Sequence, residues 1–170
     1  MDSFFPKFEN IVRRAYQFTD TEAENLQAQH PFDERNIHQV LSDIVKQLFD
    51  DGHYSQATFE AFKFVDKEIQ RLSAVSESGF KLMMQVFTES SPIIQLTSNS
   101  TTSEKDEQKG YKFLFAGSIL AIRNPRGHEY SIKDSPDLCL DHLALASMFL
   151  RRLENAGYTI KPNKSLQRTA

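Results

Sequence analysis

Apolar residues in this chain recur at steps of three and four almost from end to end, and that period admits helices packed on helices and little else. Leu41, Ile44, Val45 and Leu48 form one such stripe between Arg35 and Asp51, and Gly52 follows where a left-handed stop is wanted. Phe62, Val65, Ile69 and Leu72 form a second, with Ser55 placed to cap it, and the short turn between the two predicts an antiparallel pair. A third helix is expected over Gly79 to Thr88, burying Phe80, Met83, Met84 and Phe87, the methionines as core filler. Helix resumes near Glu104 through Tyr111, Leu114, Phe115, Ser118 and Ile122, and should falter at Asn124, because a residue before proline is pushed from the α region. Ser135-Pro136 reads as a cap with proline at the first helical position, opening a helix through Leu140, Leu143, Ala144, Ser147 and Leu150 to about Gly157.

Ser90 to Ser103 breaks the pattern with Pro92, a short Ile93-Ile94-Gln95-Leu96 run and a tip rich in serine and threonine, so a polar loop with room for a short strand and a mobile tip is expected there. Phe4 to Phe18 is a further helix candidate, joined by an acidic linker. The expected organisation is all-α: an N-terminal helix and linker over 1–30, one helical domain over 31–158 and a flexible tail over 159–170.

Charge and composition narrow the function classes. A net charge of -3 leaves no general positive field for nucleic acid, so any such contact must come from a local patch. Cys139 is the only cysteine and lies between Leu138 and Leu140, which suits a buried, inert thiol in a reducing compartment. The N-terminal residues carry no leader pattern and no apolar run reaches membrane-spanning length, so a soluble cytoplasmic protein without membrane partners is expected. The five histidines, His30, His38, His53, His128 and His142, show no metal-ligand spacing, and no phosphate-binding glycine loop is present; neither metal nor cofactor is expected. Ser118 follows Gly117 inside a helical run and lacks the frame of a serine nucleophile. Arg13-Arg14 and Arg151-Arg152 read as solvated charges toward helix C-termini.

The segment with chemistry in it is Arg123-Asn124-Pro125-Arg126-Gly127-His128. A planar guanidinium grips phosphate oxygens through parallel hydrogen bonds, and imidazole is the side chain suited to move a proton near neutral pH. The ordinary alternative is an arginine at a helix C-terminus and a histidine bonded to a loop carbonyl.

The surrounding frame carries a resemblance. Leu48-Phe49-Asp50-Asp51-Gly52-His53-Tyr54, Ala57, Glu60-Ala61-Phe62-Lys63, Leu82-Met83, Asp106-Glu107-Gln108-Lys109-Gly110, Phe115-Ala116-Gly117 and Ile122-Arg123-Asn124-Pro125-Arg126-Gly127-His128-Glu129 occur in the order in which a family of bacterial proteins labelled Ymh shows them. Over 35–155 the chain resembles that family, within the wider HEPN superfamily of helical bundles, whose signature is an arginine, a polar residue, a few variable positions and a histidine.

The resemblance implies a HEPN-like bundle of about four to five core helices. It implies a metal-independent endoribonuclease that cuts RNA as a homodimer, through an arginine-histidine pair at the dimer interface, in defence or toxin-antitoxin systems with an antitoxin or defence-system partner. On this reading His128 moves the proton, Arg123 holds the scissile phosphate, Asn124 orients the pair and Arg126 is a second RNA contact. Asp106, Gln108 and His53 would support the site from behind. The alternative is a HEPN module that binds RNA or protein without catalysis.

Overall fold

In a computed structural model the structure describes residues 29–129 and 131–162; the helix expected over Phe4 to Phe18, the linker, Arg13-Arg14 and the last eight residues of the tail lie outside them. The described chain is helical, and no strand occurs in it.

Helices α1 (Pro31–Glu34) and α2 (Gln39–Asp50) each open on a histidine. The imidazole Nδ1 of His30 accepts from the Phe32 N–H at 3.1 Å, and that of His38 from the Val40 N–H at 3.3 Å. Their outer nitrogens face Asp50 at 2.8 Å and Glu154 at 3.2 Å. These two histidines therefore terminate helices, and α2 begins at Gln39, four residues later than Arg35, because His38 supplies the cap. Gly52 has φ +78, as the stop after α2 requires.

Helix α3 (Tyr54–Ser73) is the hub: Ala57, Ala61, Phe62, Val65 and Ile69 are buried on it, and it packs on α2 and on α7 (Pro136–Asn155). Ser55 does not cap it. The Ser55 hydroxyl donates to the Ile132 carbonyl at 3.0 Å and accepts from the Asp134 N–H at 2.8 Å, fastening the loop before α7.

Helix α4 (Gly79–Val86) starts at a glycine with φ +67 whose N–H is taken by the buried Asp66 carboxylate at 2.6 Å. That anchor turns residues 79, 82, 83 and 86 inward, so Phe80, expected in the core, is 39% exposed. The loop after α4 carries no strand. Ile93 and Ile94 donate to the Val86 carbonyl, and Gln108, reaching in from the next helix, accepts from the Leu96 N–H at 2.8 Å and donates to the Ile94 carbonyl at 3.0 Å. With no neighbouring strand, these side-chain and helix-end bonds satisfy the backbone. The expected mobile tip is gathered around Glu104, which accepts from the Ser98 and Ser100 hydroxyls and the Ser100 and Thr101 N–H groups. Those bonds, the Ser100 hydroxyl first, bring its carboxyl down to about 2. Thr101 and Glu104 complete a reciprocal cap.

Helix α5 (Thr102–Ser118) runs without a break into a π-helical segment (Ile119–Arg123) and α6 (Asn124–His128). Phe115 fixes α5 in the core: its ring stacks on Phe87 at 4.5 Å and on Phe149 of α7 at 4.1 Å, and Phe149 meets Phe62 of α3 edge-on. Each such pair adds about 0.5–1.5 kcal/mol beyond burial. Leu114 does not join this core and is 50% exposed.

Ser135 caps α7, accepting from the Leu138 N–H at 3.2 Å, with Pro136 in its first turn and Gly157 at φ +91 beyond its end. Cys139 is fully buried, and desolvation pushes its thiol up to about 11. Arg151 and Arg152 are not free surface charges. Arg151 donates to the Asn36 carbonyl, and Arg152 to the Leu96 carbonyl at 2.8 Å and Glu107 at 2.7 Å. Beyond α7 the chain is still tied: Arg71 donates to the Thr159 carbonyl, Ile160 is buried and the Lys161 N–H meets Glu68, so these residues of the expected tail are anchored. No helix among the described residues is long and apolar enough to cross a membrane.

Candidate functional site

Proline creates the local geometry of the arginine-histidine segment. Pro125 has no N–H to give to the carbonyl four residues back, and its ring would press on that carbonyl. The chain does not stop, as its sequence predicts, but widens by one residue per turn: the Asn124 N–H bonds to the Ile119 carbonyl, five residues back. Asn124 keeps helical angles, φ -61 and ψ -45, and α6 ends only where Glu129 becomes extended.

Residues four apart on a helix share a face. Arg123 therefore lies with Gly127, and Asn124 with His128. From Arg123 to His128 is five steps of roughly 100° each, so their backbone directions differ by about 140°. Within one chain the structure links Arg123 to Asn124, by a long 3.5 Å contact from Nη1 to Oδ1, while His128 is exposed on the other face.

The two arginines of the segment have opposite fates. Arg126 is buried and bidentate on Asp134, at 2.7 Å from Nε and 2.5 Å from Nη2, and its Nη1 donates to the Ile122 carbonyl at 2.7 Å. It clamps α6 to the entrance of α7, and those donors point inward; expected as an RNA contact, it is spent on the fold. Arg123 sits beside Phe59 of α3, its guanidinium carbon 5.8 Å from the ring centroid, and its buried Nε has no partner among the described residues.

Around Arg126 lies a polar cluster with no clear signal in the sequence. Thr58 donates to Asp134 at 3.0 Å, and His142 stands 3.9 Å from the same carboxylate. Burial works to raise the Asp134 carboxyl, but bonds from Arg126 and Thr58, with the Arg126 charge, outweigh it and hold it below the usual range. Burial, then the Arg126 charge, holds the His142 imidazole below its ordinary value. Asp134 reads in sequence as a turn residue ahead of a cap, and nothing local marks it as buried. Phe59 had a weak signal, lying three residues before Phe62, the first residue of the buried stripe, and it is itself half-buried.

The residues expected to support the site divide. His53 is exposed at the start of α3 and lines a cavity of about 360 Å³ together with Lys133 and Asp134, which places it near the Arg126 clamp. Gln108 is fully buried and works on the loop before α5, and Asp106 is exposed on the same turn. Fifteen residues of helix separate Gln108 from Arg123, roughly 22 Å along the axis, so neither residue backs the arginine-histidine segment. No group of three or more metal-ligating side chains converges among the described residues.

Residues 35–153 match a family model described as "Protein of unknown function (Hypoth_ymh)". The chain belongs to the Hypoth_ymh family. The Hypoth_ymh match opens just before α2 and closes in the last turn of α7, so it contains Phe59, Arg123, His128 and Asp134. No curated protein and no solved structure is found to match the chain.

Proposed function

We propose that this protein is an endoribonuclease of HEPN type that works as a homodimer. The observation that carries the reading is Arg123: a guanidinium set against an aromatic ring with its hydrogen-bonding capacity almost unused, one residue from an amide and on the same helical stretch as an exposed imidazole. In the reaction a ribose 2'-hydroxyl attacks the adjacent phosphorus and the bond to the 5'-oxygen breaks, leaving a 2',3'-cyclic phosphate and a 5'-hydroxyl. His128 moves the proton, Arg123 neutralises the charge that builds on the phosphoryl oxygens and Asn124 orients Arg123. No metal takes part.

The faces of Arg123 and His128 diverge in one chain, and a second copy answers that divergence. Gly110, Phe113, Leu114, Gly117, Leu120 and Ala121 form one exposed face that continues into Asn124 and His128. Two copies meeting there would set their two arginine-histidine segments side by side. The setting we assign is growth arrest or defence, with RNA as substrate and a neutralising protein as partner.

Purified protein should cut single-stranded RNA in EDTA, and His128→Ala should lower the rate by about 10²–10⁴-fold, the range for a lost proton-transfer group. Arg123→Ala should impair both cleavage and retention of RNA. No cleavage in EDTA, or an undiminished rate for His128→Ala, would end the reading. The same divergence of faces favours a second reading, an RNA-binding module without catalysis, in which RNA is retained uncut and Arg123→Ala weakens retention in a salt-dependent way.

A further inference from the structure

We infer that Phe59 is the positioning residue for Arg123: its ring holds the guanidinium in place without consuming the donors that a phosphate needs. The inference rests on the phosphate-binding role proposed for Arg123.

An arginine can be immobilised in two ways. A carboxylate fixes it by taking its N–H groups, as Asp134 does to Arg126, and the guanidinium is then unavailable. An aromatic face attracts the cation through its quadrupole and leaves the in-plane N–H groups unspent. Arg123 is held in the second way. Its guanidinium carbon is 5.8 Å from the Phe59 centroid, and among the described residues its one side-chain bond is the 3.5 Å contact to Asn124 and its desolvated Nε has no partner. Lys63 also stands over Phe59, at 5.7 Å, but both oxygens of Glu60 already engage its ammonium at 3.1 Å. Of the two cations on that ring among the described residues, Arg123 is the one with no carboxylate partner.

The ring is itself fixed from the motif side. A methyl group on Gly127 would lie 2.9 Å from Phe59 Cε2, closer than side chains tolerate, so the glycine lets α6 close down on the ring. On the other flank, a methyl on Gly79 would lie 3.9 Å from Arg123 Nη1 and 3.6 Å from Ile119 Cγ2. Arg123 thus occupies a slot between Phe59 of α3 and the first residue of α4. The glycine between Arg126 and His128 becomes part of the same device: it seats the ring that seats the arginine.

The test measures retention of a single-stranded RNA oligonucleotide of mixed sequence by anisotropy across a salt series. Phe59→Leu keeps apolar bulk and removes the ring face; it should weaken retention by about three- to tenfold. It should also lower the slope of log affinity against log salt by roughly one, as loss of one phosphate contact does. Phe59→Tyr should restore both. In an Arg123→Ala background Phe59→Leu should add nothing, which a purely structural role would not produce. Gly127→Ala, which displaces the ring without removing it, should give the same loss and serves as the independent variant if Phe59→Leu is poorly folded. Parental affinity and slope in folded Phe59→Leu and Gly127→Ala, where Arg123→Ala has lost both, would overturn the role of Phe59 alone. An Arg123→Ala protein that binds RNA as the parent does would instead overturn the phosphate-binding reading, and with it the reason for holding the guanidinium.

Discussion

Two arginines three residues apart do different work because of what α3 and the loop before α7 set opposite them. Arg126 meets a carboxylate that is 1% exposed, and Arg123 meets a ring. Removing one partner of a buried ion pair strands the other charge, so Asp134→Asn should cost about 3–5 kcal/mol, read from urea unfolding. Its acid dependence is equally specific. The folded Asp134 carboxyl is depressed, so the stability it contributes is fully present above the unfolded value of about 3.9 and is lost as pH falls through the folded value. His142 is depressed as well, by burial and then by the Arg126 charge, so the fold favours its neutral form and that contribution fades as pH falls below about 6.5. The protein should therefore weaken in two acid steps, His142 first. Asp134→Asn should shrink the lower step, which the depressed carboxyls of Glu104 and Glu89 share, and deepen the upper one, because it removes the charge that favours protonated His142. Unfolding curves that keep both steps unchanged in the variant would show that the cluster does not govern acid stability.

At the scale of elements, the sequence was most readable where a local rule had no competitor. The stripes of α2 and α3, the stop at Gly52 and the Ser135-Pro136 start of α7 all depend on residues a few positions apart, and all hold. The rule that a residue before proline leaves the helix failed at Asn124, because a shift to five-residue bonds offered the chain a way past Pro125 that local preference does not contain. In the candidate site the arginine-histidine segment was legible and its surroundings were not. Phe59 and Asp134 reach it from other elements, and which acid is buried depends on contacts far off in sequence. Gln108 shows the same limit: it looks like a surface residue of a highly charged helix, yet it closes the loop from Phe87 to Thr101. Gln108→Ala would leave the Leu96 N–H and the Ile94 carbonyl unpaired, at about 1–3 kcal/mol for each buried group. The expected outcome is a lower urea midpoint together with faster amide exchange at Leu96. Exchange at Leu96 as slow as in the parent would mean that the loop is held by its apolar contacts and not by the amide.

For the whole molecule, periodicity identified a helix at α5 but could not tell a face buried in the core from a face awaiting a partner. Phe113, Leu114 and Leu120 are 52%, 50% and 49% exposed, and a methyl group added at Gly110 or Gly117 would meet nothing within 4 Å. An apolar stripe with small residues at intervals lets a second helix approach closely, and contiguous exposed apolar surface of this kind commonly marks an association site. A stable dimer needs about 800 Å² from each partner, more than one helix stripe supplies, so the interface must extend beyond α5. The parent should sediment as a dimer. Leu114→Glu with Leu120→Glu should yield a folded monomer whose urea midpoint no longer rises with protein concentration as the parent's does, since both side chains lie outside the core of their own chain. If the catalytic pair is shared between copies, that monomer loses cleavage while keeping a weak, salt-sensitive hold on RNA through Arg123. Mixing Arg123→Ala with His128→Ala protein then decides the matter: a shared pair regains one intact site per heterodimer, whereas a site built within one chain regains none. Recovered cleavage in the mixture, from two preparations that are each inactive, is the outcome expected.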